Sequence, residues 1–285
     1  MKNCWRWAVP MQNFTAPRIW GNSAMDKRVL LDRVALNGEE RLLLGRVWDK
    51  YDQCQRKNIP VATAFLSPQE QATARRLLSA MGVTEGFVFF GGYDGAERCQ
   101  LHFLPQWAET PDEETVCALR CTWPHQDGLT HRDFLGSLMG LGLTRESIGD
   151  ILVDEDSADV LVSSGVAEFL RSGWDSAGRV HLQVREVALH EIHIPQKKTK
   201  TVRDTISSLR LDSVVSSGFS ISRGKAAEAI SAGKVQLNWT LCTKADRTVA
   251  QGDVISLRGL GKCVLEEVGN QTKKGRIFVS LERYL

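Results

Sequence analysis

The chain has 285 residues, of which 42% are hydrophobic and 25% are charged, and its formal net charge is +2 at pH 7. This composition allows two or three cores of ordinary size and excludes a disordered chain. No run approaches the roughly 18 apolar residues that a membrane-spanning helix needs, and the N-terminus lacks the apolar core of a secretory signal. A cytoplasmic protein without a membrane partner is therefore expected.

The N-terminal part of the chain is predicted to be helical. Residues 1–24 contain three tryptophans without a clear period and are expected to form an extension. Residues 25–82 are predicted to be a helical region, because apolar positions recur there at helical spacing. Its last helix is expected over residues 68–81, since Ser67 is a good N-cap and Gly82 is a natural stop.

Residues 83–190 are predicted to form a central domain in which strands alternate with helices. Two helices are expected, over Asp133–Leu141 and Val166–Arg171. The expected strands are Phe87–Phe90, Gln100–Leu104, Val116–Thr122, Ile151–Val153, Val160–Val162 and Val180–Val187. This interleaving predicts an α/β sandwich of modest size.

A glycine-rich segment, Gly91–Arg98, lies between two of these strands. Its composition suits a turn or a small binding loop and not a buried element. It lacks the Gly-Lys-Ser/Thr ending of a P-loop and the strand-to-helix context of a dinucleotide site. The segment is therefore either a structural turn or an RNA-contact loop.

His131, Arg132 and Asp133 resemble the start of a kinase catalytic loop, but the asparagine required five residues after the aspartate is replaced by Leu138. A kinase is thus excluded. Asp133 suits the N-terminus of a helix. His131 and Arg132 are left with two interpretations, either a nucleic-acid contact that faces phosphate or a part of the helix cap.

The seven cysteines are an odd number and show no repeated short spacing, so no disulfide framework is predicted. Cys117 and Cys121 stand four residues apart in a segment that alternates like a strand. No second Cys or His pair completes a zinc site. No metal ion and no cofactor are expected.

The C-terminal part is basic. Residues 191–205 are predicted to be a linker, and residues 206–285 a small domain. Residues 196–285 contain 16 Lys and Arg against 8 Asp and Glu, whereas residues 1–195 contain 20 against 26. The asymmetry indicates a surface for phosphate, with a merely solvated charged face as the alternative.

Two short amphipathic helices and two strands are predicted in this basic part. The first helix is expected over residues 210–217 with Gly218 as its stop, and the second from the N-cap Ser222 to Gly233. Strands follow at Val235–Leu237 and Asp253–Arg258. The residues left outside the apolar stripes are basic and are the candidate RNA-binding residues: Arg210, Arg223, Lys225, Lys234, Arg258, Lys262, Lys273, Lys274 and Arg276.

The order of these residues resembles the RNA-binding domain named after ribosomal protein S-four. The positions that match are Arg210, Leu211, Asp212, Ser222, Arg223, Ala227, Ile230, Gly233, Val235 and Asn238. One departure is Trp239, which stands where a glycine is usual after the asparagine. Its ring is either a stacking surface for a base or a hydrophobic plug.

The chain also resembles the YlmH family of bacterial proteins over about residues 25–285. The segments that carry this likeness are Gly91-Gly92-Tyr93 with Ala96-Glu97-Arg98, His131–Gly136 and Gly142–Ile151. The resemblance implies an α+β chain with a helical N-terminal part, a central RNA-recognition-like domain and the S-four-type domain. It also implies a link to the ribosome, because family members help to rescue stalled large subunits by promoting template-free C-terminal tailing.

We therefore expect a non-enzymatic protein that binds structured RNA in the quality control of stalled translation. The expected partners are the ribosomal large subunit and rRNA, tRNA or both, and no DNA. The alternatives are an RNA-modifying enzyme, such as a relative of the pseudouridine synthases, or an RNA-binding factor in cell division or complex assembly. Only 73 residues follow Asp212, too few for a pseudouridine synthase domain built around that aspartate.

Overall fold

The computed structural model describes residues 27–124, 128–196 and 198–284. The expected extension at residues 1–24 and Lys197 of the expected linker lie outside the described residues. Helices and strands both occur throughout the described part, so the chain is α+β as predicted. It forms three larger sheets. We propose that each of these sheets, with its helices, is one domain, and we call the three the N-terminal, central and C-terminal domains.

The N-terminal domain packs three helices against a three-stranded antiparallel sheet in the order β1-β3-β2. Its elements are α1 (Lys27–Val34), α2 (Gly38–Lys57), β1 (Val61–Leu66), α3 (Pro68–Met81), β2 (Phe87–Phe90) and β3 (Cys99–Phe103). The helix α3 is confirmed together with its predicted ends. Ser67 and Glu70 form a capping box at its start, and Gly82 adopts a left-handed φ of 73° at its end.

The expectation of a purely helical region before residue 82 was wrong. The strand β1 forms there, and it pairs with β3, so β2 and β3 belong to this sheet and not to the central one. The sequence Val-Ala-Thr-Ala-Phe-Leu of β1 shows no regular alternation. Its strand structure depends on pairing with a segment far along the chain, which periodicity does not detect.

The central domain has the β-α-β-β-α-β order of an RNA-recognition-like fold. Its elements are β4 (Val116–Thr122), α4 (His131–Gly140), β5 (Ile148–Val153), β6 (Ser157–Ser163), α5 (Ser164–Gly173), β7 (Ser176–Ala177), β8 (Val180–His181) and β9 (Gln183–Val187). The strands β5-β6-β4-β9 form one antiparallel sheet in that order, and β7 and β8 form a separate small hairpin. The helices α4 and α5 cover one face of the sheet, with Phe134 and Leu170 in the shared core.

The C-terminal domain packs two helices against a six-stranded antiparallel sheet in the order β10-β15-β14-β13-β11-β12. Its elements are β10 (Thr199–Ile206), α6 (Leu211–Phe219), α7 (Arg223–Ser231), β11 (Val235–Leu237), β12 (Thr240–Leu241), β13 (Val254–Leu257), β14 (Gly261–Gln271) and β15 (Ile277–Tyr284). Ser222 caps α7 as predicted, because its hydroxyl accepts from the N–H of Lys225 at 3.3 Å.

The C-terminal domain contains three strands that were not predicted, β12, β14 and β15, and differs from expectation in two further details. Gly218 does not stop α6. The helix continues to Phe219, and Ser220 is its C-cap with a φ of 55°. A Cβ at Gly218 would lie 2.9 Å from Sγ of Cys263, so this glycine permits close packing of the helix on the sheet. Residues 199–205, expected in the linker, form the edge strand β10 together with Ile206, and the mostly exposed and polar side chains of this strand hid it from pattern analysis.

None of the helices in the described ranges is both long enough and apolar enough to cross a membrane.

Candidate nucleic-acid interface

One buried carboxylate holds two arginines at the starts of the C-terminal helices. Arg210 is the N-cap of α6, and Arg223 is the first residue of α7. Asp212 accepts Nε and Nη2 hydrogen bonds from Arg210 at 3.2 and 3.3 Å, and from Arg223 at 3.1 and 3.4 Å. Its side chain is 7% exposed, whereas those of Arg210 and Arg223 are 43% and 51% exposed. The acid is thus internal and the bases face solvent.

The electrostatics of this cluster favour the ionised carboxylate. Burial alone would raise the pKa of Asp212, but the hydrogen bonds and charges of the two guanidinium groups outweigh it and lower that pKa. The position of Asp212 in the first turn of α6 also suits a negative charge. Its backbone N–H donates to the carbonyl of Ala245 at 3.0 Å, which fixes the start of the helix.

Lys225, Lys234 and Arg258 are exposed, as the sequence predicted. Lys225 lies in the first turn of α7, near Arg223. The N–H of Arg258 donates to the carbonyl of Lys234 at 2.9 Å. These two cations therefore lie side by side where the chain leaves α7 and enters β11.

The tip of the hairpin formed by β14 and β15 carries three exposed cations, Lys273, Lys274 and Arg276. Nε of Arg276 donates to the carbonyl oxygen of Thr205 at 2.9 Å and to its Oγ1 at 3.1 Å. Because Thr205 is near the end of β10, the tip lies beside the segment that leads to Arg210. The hairpin tip and the arginine pair are thus at the same end of the C-terminal sheet.

Lys262 does not lie on an open solvent face. Its side chain is 20% exposed and forms an ion pair with Glu97. Its Nζ lies 4.6 Å from the ring centre of Tyr284 and 5.6 Å from that of Trp239. The expectation that Lys262 faces open solvent was wrong. Its ion-pair partner Glu97 comes from a loop 165 residues earlier in the chain, so the sequence around Lys262 does not indicate the contact.

Two further cations near the arginine pair were not singled out from the sequence. Lys244 and Arg247 are exposed in the loop between β12 and β13, and the carbonyl of Arg247 accepts from the N–H of Leu211 at 2.8 Å. The only sequence signal was a basic pair in a polar turn. Its proximity to α6 follows from the fold of the loop and not from any periodicity.

His131 and Arg132 are the first two residues of α4, and both are exposed. The helix is capped without them, because the carboxylate of Asp133 accepts from the N–H and the O–H of Thr130 at 2.8 and 2.6 Å. Neighbouring protein atoms exclude part of the water around the imidazole, which lowers the pKa of His131 although the residue is exposed, and the charge of Arg145 lowers that pKa further. Both effects favour the neutral imidazole.

The segment Gly91–Arg98 connects β2 to β3 within the N-terminal domain and contacts β5 of the central domain, and we call it the junction loop. The carboxylate of Asp150 accepts hydrogen bonds from Oη of Tyr93 at 2.7 Å and from the N–H groups of Glu97 and Arg98 at 2.7 and 3.0 Å. The guanidinium of Arg98 donates to the carbonyls of Ile148 and Arg145 at 2.8 and 2.7 Å. The geometry favours the structural-turn interpretation for most of this segment.

The second face of the central sheet is covered. Phe65 of the N-terminal domain packs on Ala118 and Leu161 there, with Leu189 and Ile192 beside them. A Cβ at Gly149 would lie 2.8 Å from the ring of Phe65, so that glycine permits the contact. RNA-recognition domains stack bases on this face, and the covered face excludes that mode in the described structure.

Also on this covered face, Arg120 and Asp159 form a bidentate pair at 2.7 Å, with the Asp159 side chain 2% exposed. The carbonyl of Glu191 accepts from Arg120 at 2.7 Å, and the N–H of His193 donates to Asp159 at 2.6 Å. The segment after β9 is thereby tied down over the sheet.

No group of three or more His, Cys, Asp or Glu side chains in the described ranges could hold a metal ion. Burial raises the pKa of the Cys117 and Cys121 thiols, which favours their protonated form. Cys121 belongs to the core beneath α4 and α5.

Comparisons with known proteins agree with this architecture. Residues 121–195 match the family described as "Putative RNA-binding domain in YlmH", and residues 209–255 match the S4 domain. The fold and these matches define an RNA-binding protein with an S4 domain at its C-terminus.

The chain belongs to the YlmH family, as the resemblance predicted. It is 34% identical over 224 residues to the "Ribosome-associated protein quality control protein P2" of Bacillus subtilis (strain 168), which covers 78% of this chain and 86% of that relative. A solved structure, "Cell division protein ylmH from Streptococcus pneumoniae", is similar at 17% identity and a TM-score of 0.46, over 55% of this chain and 96% of that one.

Proposed function

We propose that the protein is a non-enzymatic factor that binds structured RNA of the ribosomal large subunit and tRNA in the quality control of stalled translation. The observation that carries this proposal is the pair of exposed arginines held by the buried carboxylate of Asp212. The name of the Bacillus subtilis relative supports the ribosome-associated role. A ribosomal partner implies a cytoplasmic location.

The arginine pair suits phosphate in its geometry. Each guanidinium has five N–H donors, and Asp212 accepts only Nε and Nη2 bonds from each. The remaining donors are free of Asp212 and are held in a fixed orientation, which reduces the entropy lost on binding. Two neighbouring phosphates of an RNA backbone are a ligand of matching charge and shape.

The other cations extend this surface in two directions. Lys225, Lys234 and Arg258 continue it along α7, and the hairpin tip of Lys273, Lys274 and Arg276 continues it past the end of β10. A surface that contacts phosphates without base edges recognises RNA by its shape. His131 and Arg132 are proposed as a second contact, made by the helix end of the central domain because its sheet is covered.

An RNA-modifying activity centred on Asp212 is disfavoured. A catalytic aspartate has to reach its substrate, whereas this side chain is 7% exposed and accepts hydrogen bonds from two arginines. Its carboxylate already has a structural role in orienting them.

The test reverses the charge of exposed lysines and leaves the cluster of Asp212, Arg210 and Arg223 intact. Arg223→Glu would also place a second carboxylate beside Asp212, so we choose Lys225→Glu with Lys234→Glu. Losing two phosphate contacts should weaken binding of purified tRNA about tenfold or more at low salt and make its dependence on salt between about 50 and 300 mM shallower. Filter binding measures both quantities.

The matched control is Lys57→Glu, an exposed lysine of α2 in the N-terminal domain. Combined with Arg33→Glu, at an exposed arginine of α1, it makes the same two charge reversals away from the proposed surface and should keep wild-type affinity. Equal affinities of the double variant and this control, with both folded by circular dichroism, would remove the C-terminal domain from the proposed RNA interface.

A further inference from the structure

The ammonium group of Lys262 lies near two aromatic rings, at the place where the C-terminal domain contacts the junction loop. Lys262 Nζ is 4.6 Å from the ring centre of Tyr284 and 5.6 Å from that of Trp239, and it is paired with Glu97. A lysine beside aromatic rings is the combination with which proteins hold unpaired nucleotides, since phosphate meets the cation and the base meets a ring.

Trp239 is held in a backbone conformation that tryptophan rarely adopts. It and Asn238 form the two-residue turn between β11 and β12, with φ values of 63° and 49°. Turns with two positive φ angles favour Asn-Gly. The ring is partly exposed and lies outside the domain core, so the plug interpretation does not explain it.

We propose that Trp239, Lys262 and Tyr284 form a site for one unpaired nucleotide of the bound RNA. The base stacks on the ring of Trp239, and the phosphate binds Lys262. This inference rests on the proposed RNA-binding function and adds the class of ligand: structured RNA with a bulged or looped-out nucleotide beside the helix that the basic surface contacts.

Glu97 occupies the phosphate position in the free protein. Its carboxylate, like a phosphate, is an anionic oxygen acceptor for Lys262. Its backbone is held in place, because its N–H and that of Arg98 both donate to Asp150. Nucleotide binding therefore exchanges a carboxylate for a phosphate on Lys262 and releases one contact between the C-terminal domain and the junction loop.

The test compares two RNA hairpins that differ in a single bulged nucleotide, one bulged and one fully paired. Trp239→Gly is the informative variant, because glycine is the residue that the turn favours and the fold should be preserved. Wild-type protein should bind the bulged hairpin at least about fivefold more tightly, the range expected for one stacked base. Trp239→Gly should lose this preference and bind the paired hairpin as wild type does.

A second variant tests the role of Glu97. Glu97→Gln should bind the bulged hairpin more tightly than wild type, whereas Glu85→Gln, the same change at an exposed loop position, should not. A 2-aminopurine base in the bulge should change its fluorescence on binding wild type but not Trp239→Gly.

Equal binding of both hairpins by wild type, or an unchanged preference in Trp239→Gly, would overturn the nucleotide site while leaving RNA binding intact. Failure of wild type to bind either hairpin would instead contradict the proposed function, and the nucleotide site with it.

Discussion

At the residue scale, the molecule uses an acid to build a basic surface. Asp212 contributes a negative charge in the middle of the proposed interface, yet its burial and its bonds to Arg210 and Arg223 direct that charge inward. One partner, Arg210, is local in the sequence, two residues before Asp212. The second partner, Arg223, follows from the packing of α7 against α6.

The variant Asp212→Asn tests whether RNA binding depends on the orientation of Arg210 and Arg223 or only on the net charge of the surface. Removing a negative charge should strengthen RNA binding if charge alone mattered. We expect the affinity to fall at least about fivefold, since ordering each long side chain contributes about 0.5–1.5 kcal/mol. The free energy of unfolding should fall by only about 1 kcal/mol, because the arginines are half exposed and screened.

The control for this variant is Glu228→Gln, which makes the same charge change on the exposed surface of α7. Both variants would be measured by RNA titration and urea denaturation. An affinity of Asp212→Asn equal to or above that of Glu228→Gln would show that the arginines need no orientation by the carboxylate.

At the element scale, local signals predicted the helices but missed several strands: β1, β10, β12, β14 and β15. The ends of α3 and the start of α7 follow from Ser67, Gly82 and Ser222, whose capping chemistry acts within a few residues. The strands β1 and β10 depend on partners far along the chain. Lys262 was misplaced for the same reason, because its contact with Glu97 links two separate elements.

A buried histidine in β3 predicts how the stability of the fold depends on pH. All five of its side chains are buried, including His102, which is 1% exposed. Burial lowers the pKa of His102 to about 4, against a small opposing effect of Asp112. The folded state therefore keeps this histidine neutral at a pH where the unfolded chain protonates it, so stability falls as pH drops below about 6.5.

Between pH 7 and pH 5 this one group should lower the free energy of unfolding by about 2 kcal/mol. His102→Leu should therefore lose less stability than wild type over that interval, by about the same amount, in urea denaturation followed by circular dichroism. His181→Leu, at an exposed position of β8, is the control. Identical pH dependence in all three proteins would mean that His102 is not held neutral by burial.

At the scale of the whole molecule, the basic charge is concentrated in the C-terminal domain, whereas the contacts that cover the central sheet are made by the rest of the chain. Residues 196–285 carry the excess of basic side chains, and residues 1–195 carry an excess of acidic ones. One face of the central sheet is covered by Phe65, Leu189 and Ile192, which all belong to the acidic part. Because that face is closed, we propose the start of α4, with the exposed His131 and Arg132, as the RNA contact of the central domain. The sequence predicted the fold class, but the closed sheet required the structure, since its covering side chains come from two other segments.

Association with the ribosome would be measured by sucrose-gradient sedimentation of tagged protein from cells, at low and high salt, with sequencing of the RNA that co-migrates. We expect wild-type protein to sediment with large subunits and tRNA at low salt and to move to the top of the gradient at high salt. The Lys225→Glu, Lys234→Glu variant should remain at the top at both. Wild-type protein that stays at the top at low salt, or a double variant that sediments with large subunits as wild type does, would contradict this expectation.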